Sequence, residues 1–488
     1  MSEEILVNVT PRELRAALLE NGVLQEVFIE RVSRRGLTSN IYKGRVQRVL
    51  PGMQAAFVDI GLDRTAFLHA SDIAQAPVEG IEIEAGREPG IRDLICEGRD
   101  ILVQVLKDPL GTKGARLTTF VALPSRYLVY LPCGRGIGVS ARIEDEVERA
   151  RLREILEQLA EGGQGGWIVR TAAEEAPRDA LRADMLFLGK LWEAVAEQGQ
   201  RSPPGSLVHA DLDLPLRLLR DLLAPRVERV RVDNPEVYGR MKRFAASFIP
   251  EMEPKIEEYT EPRPVFDLHG VEDEIARALD QKVPLKSGGY LVIDQTEAMT
   301  TIDVNTGAYV GHRNLEETIF RTNLEAAQAI ARQIRLRNLG GIIIVDFIDM
   351  EEEDHRHQVL FALERALESD HARNQITEVS RLGLVEMTRK RTRESLEHVL
   401  CRPCPTCHGR GSVKTPETVC YEIFRDILRQ SRQFEFQELL VLAHPEVLDL
   451  LVDEEATGLA ELESATGKPI RLQAESGYAH DHYDVVPI

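Results

Sequence analysis

Apolar and polar positions alternate at the start of the chain. Residues 4–9 and 23–31 read as two strand-like runs around a turn at Asn21-Gly22. Residues 38–70 continue as short strands punctuated by Gly44, Pro51-Gly52 and Gly61. After an acidic loop at 74–92, strands resume at 100–106. Short strands with glycine turns suit a small β-barrel. The period then changes. Residues 142–161, 178–199, 214–229 and 235–249 carry helical spacing. A glycine-rich break at 162–166 precedes a strand at 167–170, and Pro203-Pro204-Gly205 marks a loop.

Further along, Ser287-Gly288-Gly289 leads into a hairpin whose arms are residues 290–294 and 299–305. A long amphipathic helix is predicted from Asn314 to Arg337. Asn314 is its cap, Glu317 follows three residues on, and Gly340-Gly341 ends it. The apolar run 342–346 is the next strand. Strand, helix, strand is a βαβ-like order, which predicts an α/β or α+β catalytic domain over 280–400. No internal repeat or low-complexity tract interrupts the chain.

With 488 residues, 43% of them hydrophobic, the chain can build several cores. No apolar run is long enough to span a bilayer, and the first residues lack the parts of a signal peptide, so the expected location is the cytoplasm. The net charge of −20 argues against a general polyanion binder. The charge is uneven, however. Arg31 to Arg48 holds six basic residues and no acid, and 381–393 holds five against Glu386, while acid collects at 79–88 and 351–354. Such basic runs either steer nucleic acid to one groove or are solvated faces. Cys96, Cys133 and Cys420 are isolated and read as small buried residues. Cys401, Cys404 and Cys407 cluster, which points to metal rather than to a disulfide.

Four groups of residues carry chemistry. Asp303 and Asp346 each stand at or near the end of an apolar strand, where a carboxylate is costly unless paired, hydrogen-bonded or bound to a cation. On neighbouring strands they could hold Mg²⁺ with few protein ligands. Asn305, two residues beyond Asp303, faces the same side and can brace it. The alternative is an Asp pair capping strand ends. The second group interleaves aromatic and basic residues: Lys43-Gly44, Phe57 to Gly61, and Phe67 to His69, with Lys107 and Lys113 in later strands. The order K-G-x-V, F-V-D-x-G, F-L-H resembles that of an S1 RNA-binding barrel, and the resemblance implies Phe57 and Phe67 on the RNA face. The third is a knuckle, C-x-x-C-x-G-x-G, from Cys404 and Cys407 to Gly411. It supplies two thiolates where structural zinc takes four ligands. Cys401 and His408 complete the set, or a second subunit brings an identical pair. The fourth is Arg170-Thr171, a guanidinium fork and a hydroxyl that can hold a phosphate monoester.

Long segments resemble the ribonuclease E/G family over almost the whole chain. They are NIYKGRV at 40–46, PGMQAAFVD at 51–59, GTKGARLTT at 111–119, GGYLVIDQTEA at 288–298, LGGIIIVDFIDM at 339–350 and MTRKRTRES at 387–395. The length without a tail resembles the shorter branch of that family. The resemblance implies a multidomain α+β fold. An S1 (OB-like) barrel at 38–119 would be inserted in an RNase H-like subdomain formed by 1–37 and 216–279. A 5′-monophosphate sensor region would follow at 120–215, then a DNase I-like α/β catalytic domain at 280–400, a zinc-link at 401–415 and a small C-terminal α/β domain at 416–488.

The resemblance also assigns roles. Asp303 and Asp346 match magnesium-binding aspartates, and Asn305 their neighbouring asparagine. Phe57, Phe67 and Lys113 match residues that trap RNA, and Arg373 matches an RNA-contacting arginine. Arg170 and Thr171 match the 5′-monophosphate pocket, with Val129 on its wall and Ser125 where longer relatives commonly have glycine. Cys404 and Cys407 match a zinc-link joining two protomers in a dimer or tetramer; Cys401 is an extra thiol. The implied activity is a single-strand-specific, Mg²⁺-dependent endoribonuclease, stimulated by an RNA 5′-monophosphate. It would act on rRNA precursors and mRNA and leave 5′-phosphate and 3′-hydroxyl ends. The competing class is a non-catalytic S1-domain RNA-binding scaffold. A metal-dependent DNase is disfavoured by the barrel.

Overall fold

The computed structural model describes residues 2–33, 35–74, 90–109, 114–160, 165–222, 226–307, 315–380, 382–390 and 393–488. Residues 75–89 of the acidic loop, Lys113 and the cap Asn314 lie outside these residues, and the end of the range expected as loop enters the short helix Ile91–Leu94. The chain divides by contact into a unit of residues 1–399 and a unit of residues 400–488.

The first sheet joins the two ends of a long sequence interval. Its strand order is Ile256–Glu258, Val227–Val232, Glu3–Val9, Glu13–Glu20, Val23–Arg31. Glu3–Val9 pairs in parallel with Val227–Val232. The helices Leu214–Asp221 and Pro235–Phe248 cover one face, burying Ile5, Val7, Leu18, Leu218, Val230 and Met241. Two expectations need correction. The hairpin at Asn21-Gly22 joins Glu13–Glu20 to Val23–Arg31, and Glu13–Glu20 is a strand that the sequence did not announce. Its composition (ELRAALLE) favours helix, and burial of residues 16–19 between two partner strands overrides that preference. The helix expected over 214–229 stops at Asp221, and the last residues of that range begin the strand Val227–Val232. Val227, Val230 and Val232 sink into the core at strand, not helix, geometry.

Ile41–Leu50, Ala55–Asp59, Ala66–His69, Arg116–Thr118 and Asp100–Lys107 close into a five-stranded barrel. The last strand pairs back with the first. Val46, Val58, Leu68, Val103 and Leu117 fill it. A smaller sheet, Gly136–Val139, Gly166–Val169, Leu128–Leu131, Leu123–Pro124, packs on the helices Glu146–Leu159 and Arg178–Arg201. Asp145 caps the first of these by accepting the Val147 amide at 2.9 Å.

The sheet that bears the aspartates has the order Lys282–Pro284, Tyr290–Gln295, Met299–Asn305, Gly341–Asp346, Leu384–Arg389, Asn374–Ile376. Met299–Asn305 and Gly341–Asp346 are parallel and linked through the helix Leu315–Leu336. That helix and Glu353–Leu367 cover one face, burying Ile302, Val304, Ile343, Val345, Ile330 and Leu363. The strands therefore have one dry face and one open face.

The unit from residue 400 carries a three-stranded sheet, Ile470–Ala474, Leu439–Ala443, Tyr483–Pro487. It is backed by the helices Pro416–Gln433, Pro445–Asp453 and Ala456–Thr466. Cys420 is buried in this core as expected, but Cys96 and Cys133 are exposed. Both sit in turns, beside Gly98 and Gly134, rather than on a core-facing strand position. No described helix is long and apolar enough to cross a membrane.

Candidate active site

Asp303 and Asp346 are direct partners in the parallel register of their strands. Side chains alternate along a strand. Ile302, Val304 and Val345 turn into the core, so the two carboxylates share the opposite, open face. This corrects the expectation of carboxylates inside a buried run: both are exposed. Burial that remains around Asp346 raises its carboxyl above the ordinary range, and the charges of Asp303 and Asp349 push the same way. Asn305 donates from Nδ2 to Asp303 Oδ2 at 2.7 Å, the bracing its spacing predicted. Among the described residues neither aspartate has an ion-pair partner.

The loops around the pair are fixed by close backbone approaches. A Cβ on Gly289 would lie 2.5 Å from the Asn305 carbonyl oxygen. Gly307 has φ +66°, and a Cβ there would meet the Gly288 carbonyl at 2.4 Å. On the other side, Asn323 stands fully buried in the middle of Leu315–Leu336. Its Nδ2 donates to the Ile348 carbonyl at 2.8 Å, and its Oδ1 accepts the Ile348 amide at 3.1 Å. That clamp holds the chain between Asp346 and Asp349. Neither Asn323 nor Asp349 was singled out from the sequence. The D-F-I-D spacing from Asp346 carried a signal for Asp349; a lone mid-helix asparagine carried none for Asn323.

On the barrel, Phe57 and Phe67 face each other across adjacent strands with ring centroids 6.2 Å apart, edge to face. Their neighbours Ala56, Val58, Ala66 and Leu68 are core, so both rings are on the outer surface and not in the barrel interior. His69 lies 6.4 Å beyond Phe67. Lys107 is exposed at the end of its strand. Lys113 lies outside the described residues.

Arg170 follows the strand Gly166–Val169, whose partner strand contains Val129 opposite Ile168. Its guanidinium donates to the Ser125 carbonyl and, at 2.7 Å, to Asp221. Thr171 opens the short turn Thr171–Ala173. The Ser125 hydroxyl donates to Asp184, which also accepts the amides of Tyr127 and Leu128 at 3.0 Å each. Burial raises the Asp184 carboxyl, against the pull of those hydrogen bonds. Burial also opposes ionisation of Asp221, but Arg220 and Arg170 outweigh it and hold that carboxyl below the ordinary range. The serine at 125 thus turns its hydroxyl into a buried network, leaving its carbonyl to orient Arg170.

A sequence model of the ribonuclease E/G family matches residues 122–392, and a model of the thioredoxin-like domain of RNase E/G matches residues 403–488. The chain belongs to the ribonuclease E/G family. Ribonuclease G of Salmonella typhimurium (strain SL1344) is 56% identical, and ribonuclease G of Escherichia coli (strain K12) 55%, each over the full length of both chains. Ribonuclease E of Escherichia coli (strain K12) is 37% identical over 95% of this chain and 44% of its own length. Membership in the ribonuclease E/G family places this chain among the endoribonucleases.

Five described residues of the two basic runs are engaged within the chain. Arg31 is paired with Glu13, and Arg45 with Asp100; Lys43 donates to the Gly199 carbonyl. Arg389 is buried and bidentate on Asp370, at 2.6 and 3.0 Å. Arg393 lies over the Phe28 ring at 3.8 Å and donates to the Val27 carbonyl. Lys390 stays exposed, and its amide donates to the carbonyl of exposed Arg373 at 2.8 Å.

In the other unit, Cys404 and Cys407 lie in a tight turn with positive φ at His408, Gly409 and Gly411. Amide hydrogen bonds from Cys407 and Thr406 lower the Cys404 thiol to about 7. Among the described residues, neither Cys401 nor His408 joins the pair in a convergent three-ligand group.

Proposed function

We propose that the chain is a Mg²⁺-dependent, single-strand-specific endoribonuclease, stimulated by an RNA 5′-monophosphate and leaving 5′-phosphate and 3′-hydroxyl ends. The observation that carries this reading is the register match of Asp303 and Asp346 on an open sheet face. Two hard carboxylates at one level of a sheet fit Mg²⁺, which takes few protein ligands and keeps positions for water and phosphate oxygens. When bound, the cation would neutralise the scissile phosphate and supply an activated water for in-line attack. Asn305 holds Asp303 Oδ2 at 2.7 Å and so steadies the whole carboxylate in one orientation. Asn323 fixes the loop behind Asp346. Phe57 and Phe67 offer ring surfaces on which unpaired bases stack, a contact worth about 1–3 kcal/mol per base and unavailable to bases inside a duplex. Arg170 and Thr171 are the proposed receptor for a 5′-phosphate, with Arg373 and Lys390 on the RNA path.

The Cys404–Cys407 turn is proposed to bind structural Zn²⁺ shared with a second copy. A thiol already lowered to about 7 is about half thiolate at neutral pH. Two thiolates per chain make four across a two-fold axis. The substrates are proposed to be rRNA precursors, at their 5′ ends, and mRNA, in the cytoplasm.

The test compares one RNA carrying a 5′-monophosphate with the same RNA carrying a 5′-hydroxyl, with and without Mg²⁺. Faster cleavage of the monophosphate form, strict dependence on Mg²⁺ and 3′-hydroxyl products are expected. Cyclic-phosphate ends would overturn the water route, and equal rates on both RNAs would overturn the sensor. RNA binding that survives Asp303→Asn while cleavage stops would separate this reading from a pure scaffold.

A further inference from the structure

We propose that His444, Glu446 and His480 form a second metal site, separate from Cys404 and Cys407, for a cation of the Zn²⁺ class. The fold builds it at one end of the C-terminal sheet. The strand Leu439–Ala443 runs directly into His444, which opens the helix Pro445–Asp453. Glu446 lies in the first turn of that helix. Ala443 pairs with Tyr483, so the turn that carries His480 arrives beside His444 from the far end of the chain.

One ligating atom from each of the three residues lies within 4.8 Å of the other two. The imidazole rings are 4.0 Å apart between centroids, and His480 Nδ1 is 3.1 Å from Glu446 Oε2. His444 Nδ1 accepts only a long bond, 3.4 Å, from the Glu446 amide, so its lone pair is weakly engaged. Ligands on a tetrahedral ion with bonds of about 2.1 Å stand about 3.4 Å apart. Small side-chain rotations therefore close the group on one ion, and the cation replaces the His480–Glu446 contact with two stronger bonds. Two imidazoles and one carboxylate suit Zn²⁺, Co²⁺ or Ni²⁺, whereas Mg²⁺ prefers an all-oxygen octahedron. Three protein ligands leave a position for water.

A second observation gives the site a role. Asp481, next to His480, accepts from Arg410 Nη2 at 3.1 Å. Arg410 belongs to the Cys404–Gly411 turn, and its amide donates to the Cys407 carbonyl at 2.9 Å. An ion on His480 immobilises the loop that anchors this turn.

The experiment uses the full-length protein, stripped of metal and titrated with Co²⁺. In excess Mg²⁺, which keeps Asp303 and Asp346 occupied, a Cys404→Ser/Cys407→Ser variant is expected to keep about one equivalent of Co²⁺, with visible ligand-field bands but no sulfur charge-transfer absorption. Adding His480→Ala should weaken that binding at least tenfold, and Glu446→Gln should weaken it without disturbing the helix start. His480→Ala in the otherwise unaltered chain provides a second comparison if the cysteine variant fails to fold. There, the difference spectrum from the parent should contain nitrogen and oxygen ligation only. No Co²⁺ bound by the cysteine variant with native circular dichroism, or unchanged binding in His480→Ala, would overturn the proposal.

Discussion

Two carboxylates held at the same level of adjacent parallel strands repel each other, and this repulsion is measurable without any substrate. Neighbouring strands lie about 4.8 Å apart. Two unit charges at that distance interact by about 0.9 kcal/mol in bulk water and about 3.5 kcal/mol at an effective dielectric of 20. Asp303 and Asp346 are both exposed, so the aqueous end of the range applies, and physiological salt screens it further. Asp349 adds repulsion on Asp346. Asp346→Asn is therefore expected to stabilise the metal-free protein by about 0.5–1.5 kcal/mol while abolishing cleavage. The assay is urea unfolding in chelator, followed by the same series in Mg²⁺. At ten times its dissociation constant the ion would stabilise the parent by about 1.4 kcal/mol and leave the variant unchanged. The gain in chelator should shrink in high salt. A variant less stable than the parent without metal, or one stabilised equally by Mg²⁺, would refute the reasoning.

Other outcomes follow from the same framework. Asn323→Ala leaves the Ile348 amide and carbonyl without their partner; it should cost about 1–3 kcal/mol for each group and lower kcat, read by unfolding and by cleavage under saturating RNA. Burial works against ionisation of Asp370, but the Arg389 hydrogen bonds and charge win, so its folded carboxyl lies below the ordinary range. A depressed carboxyl contributes stability above its unfolded value near 4 and loses it as pH falls through the folded value. The urea midpoint should therefore fall less steeply below pH 4 in Asp370→Asn/Arg389→Met than in the parent; equal slopes would exclude this pair as a source of acid lability. Removing Zn²⁺ with a chelator, or Cys404→Ser/Cys407→Ser, should dissociate the proposed dimer in sedimentation velocity.

The sequence made the aspartate pair legible because apolar runs and a helical spacer leave few ways to arrange strand, helix and strand. It also placed Asn305 correctly, since a two-residue offset on a strand is a geometric statement. Local pattern failed where distant partners decide. Glu13–Glu20 has helix-favouring residues, yet it is sandwiched between strands. The basic runs looked like surface because charge is read per residue, whereas Arg31, Arg389 and Arg393 meet partners or aromatic faces supplied from elsewhere in the chain. Asn323 was invisible for the same reason: its partner is a backbone group 25 residues away.

The pairing of Glu3–Val9 with Val227–Val232 also sets a timetable for synthesis. The first strand leaves the ribosome at the outset, but its parallel partner is made only after the barrel and the smaller sheet. At about 5–20 residues per second the delay is about 10–45 seconds. Throughout it, Glu3–Val9 can pair on one side with Glu13–Glu20 while its other edge offers free amides and carbonyls to any passing strand. Pauses in translation before residue 227 lengthen that exposure, so the nascent chain, more than the finished protein, is the form most in need of protection from aggregation.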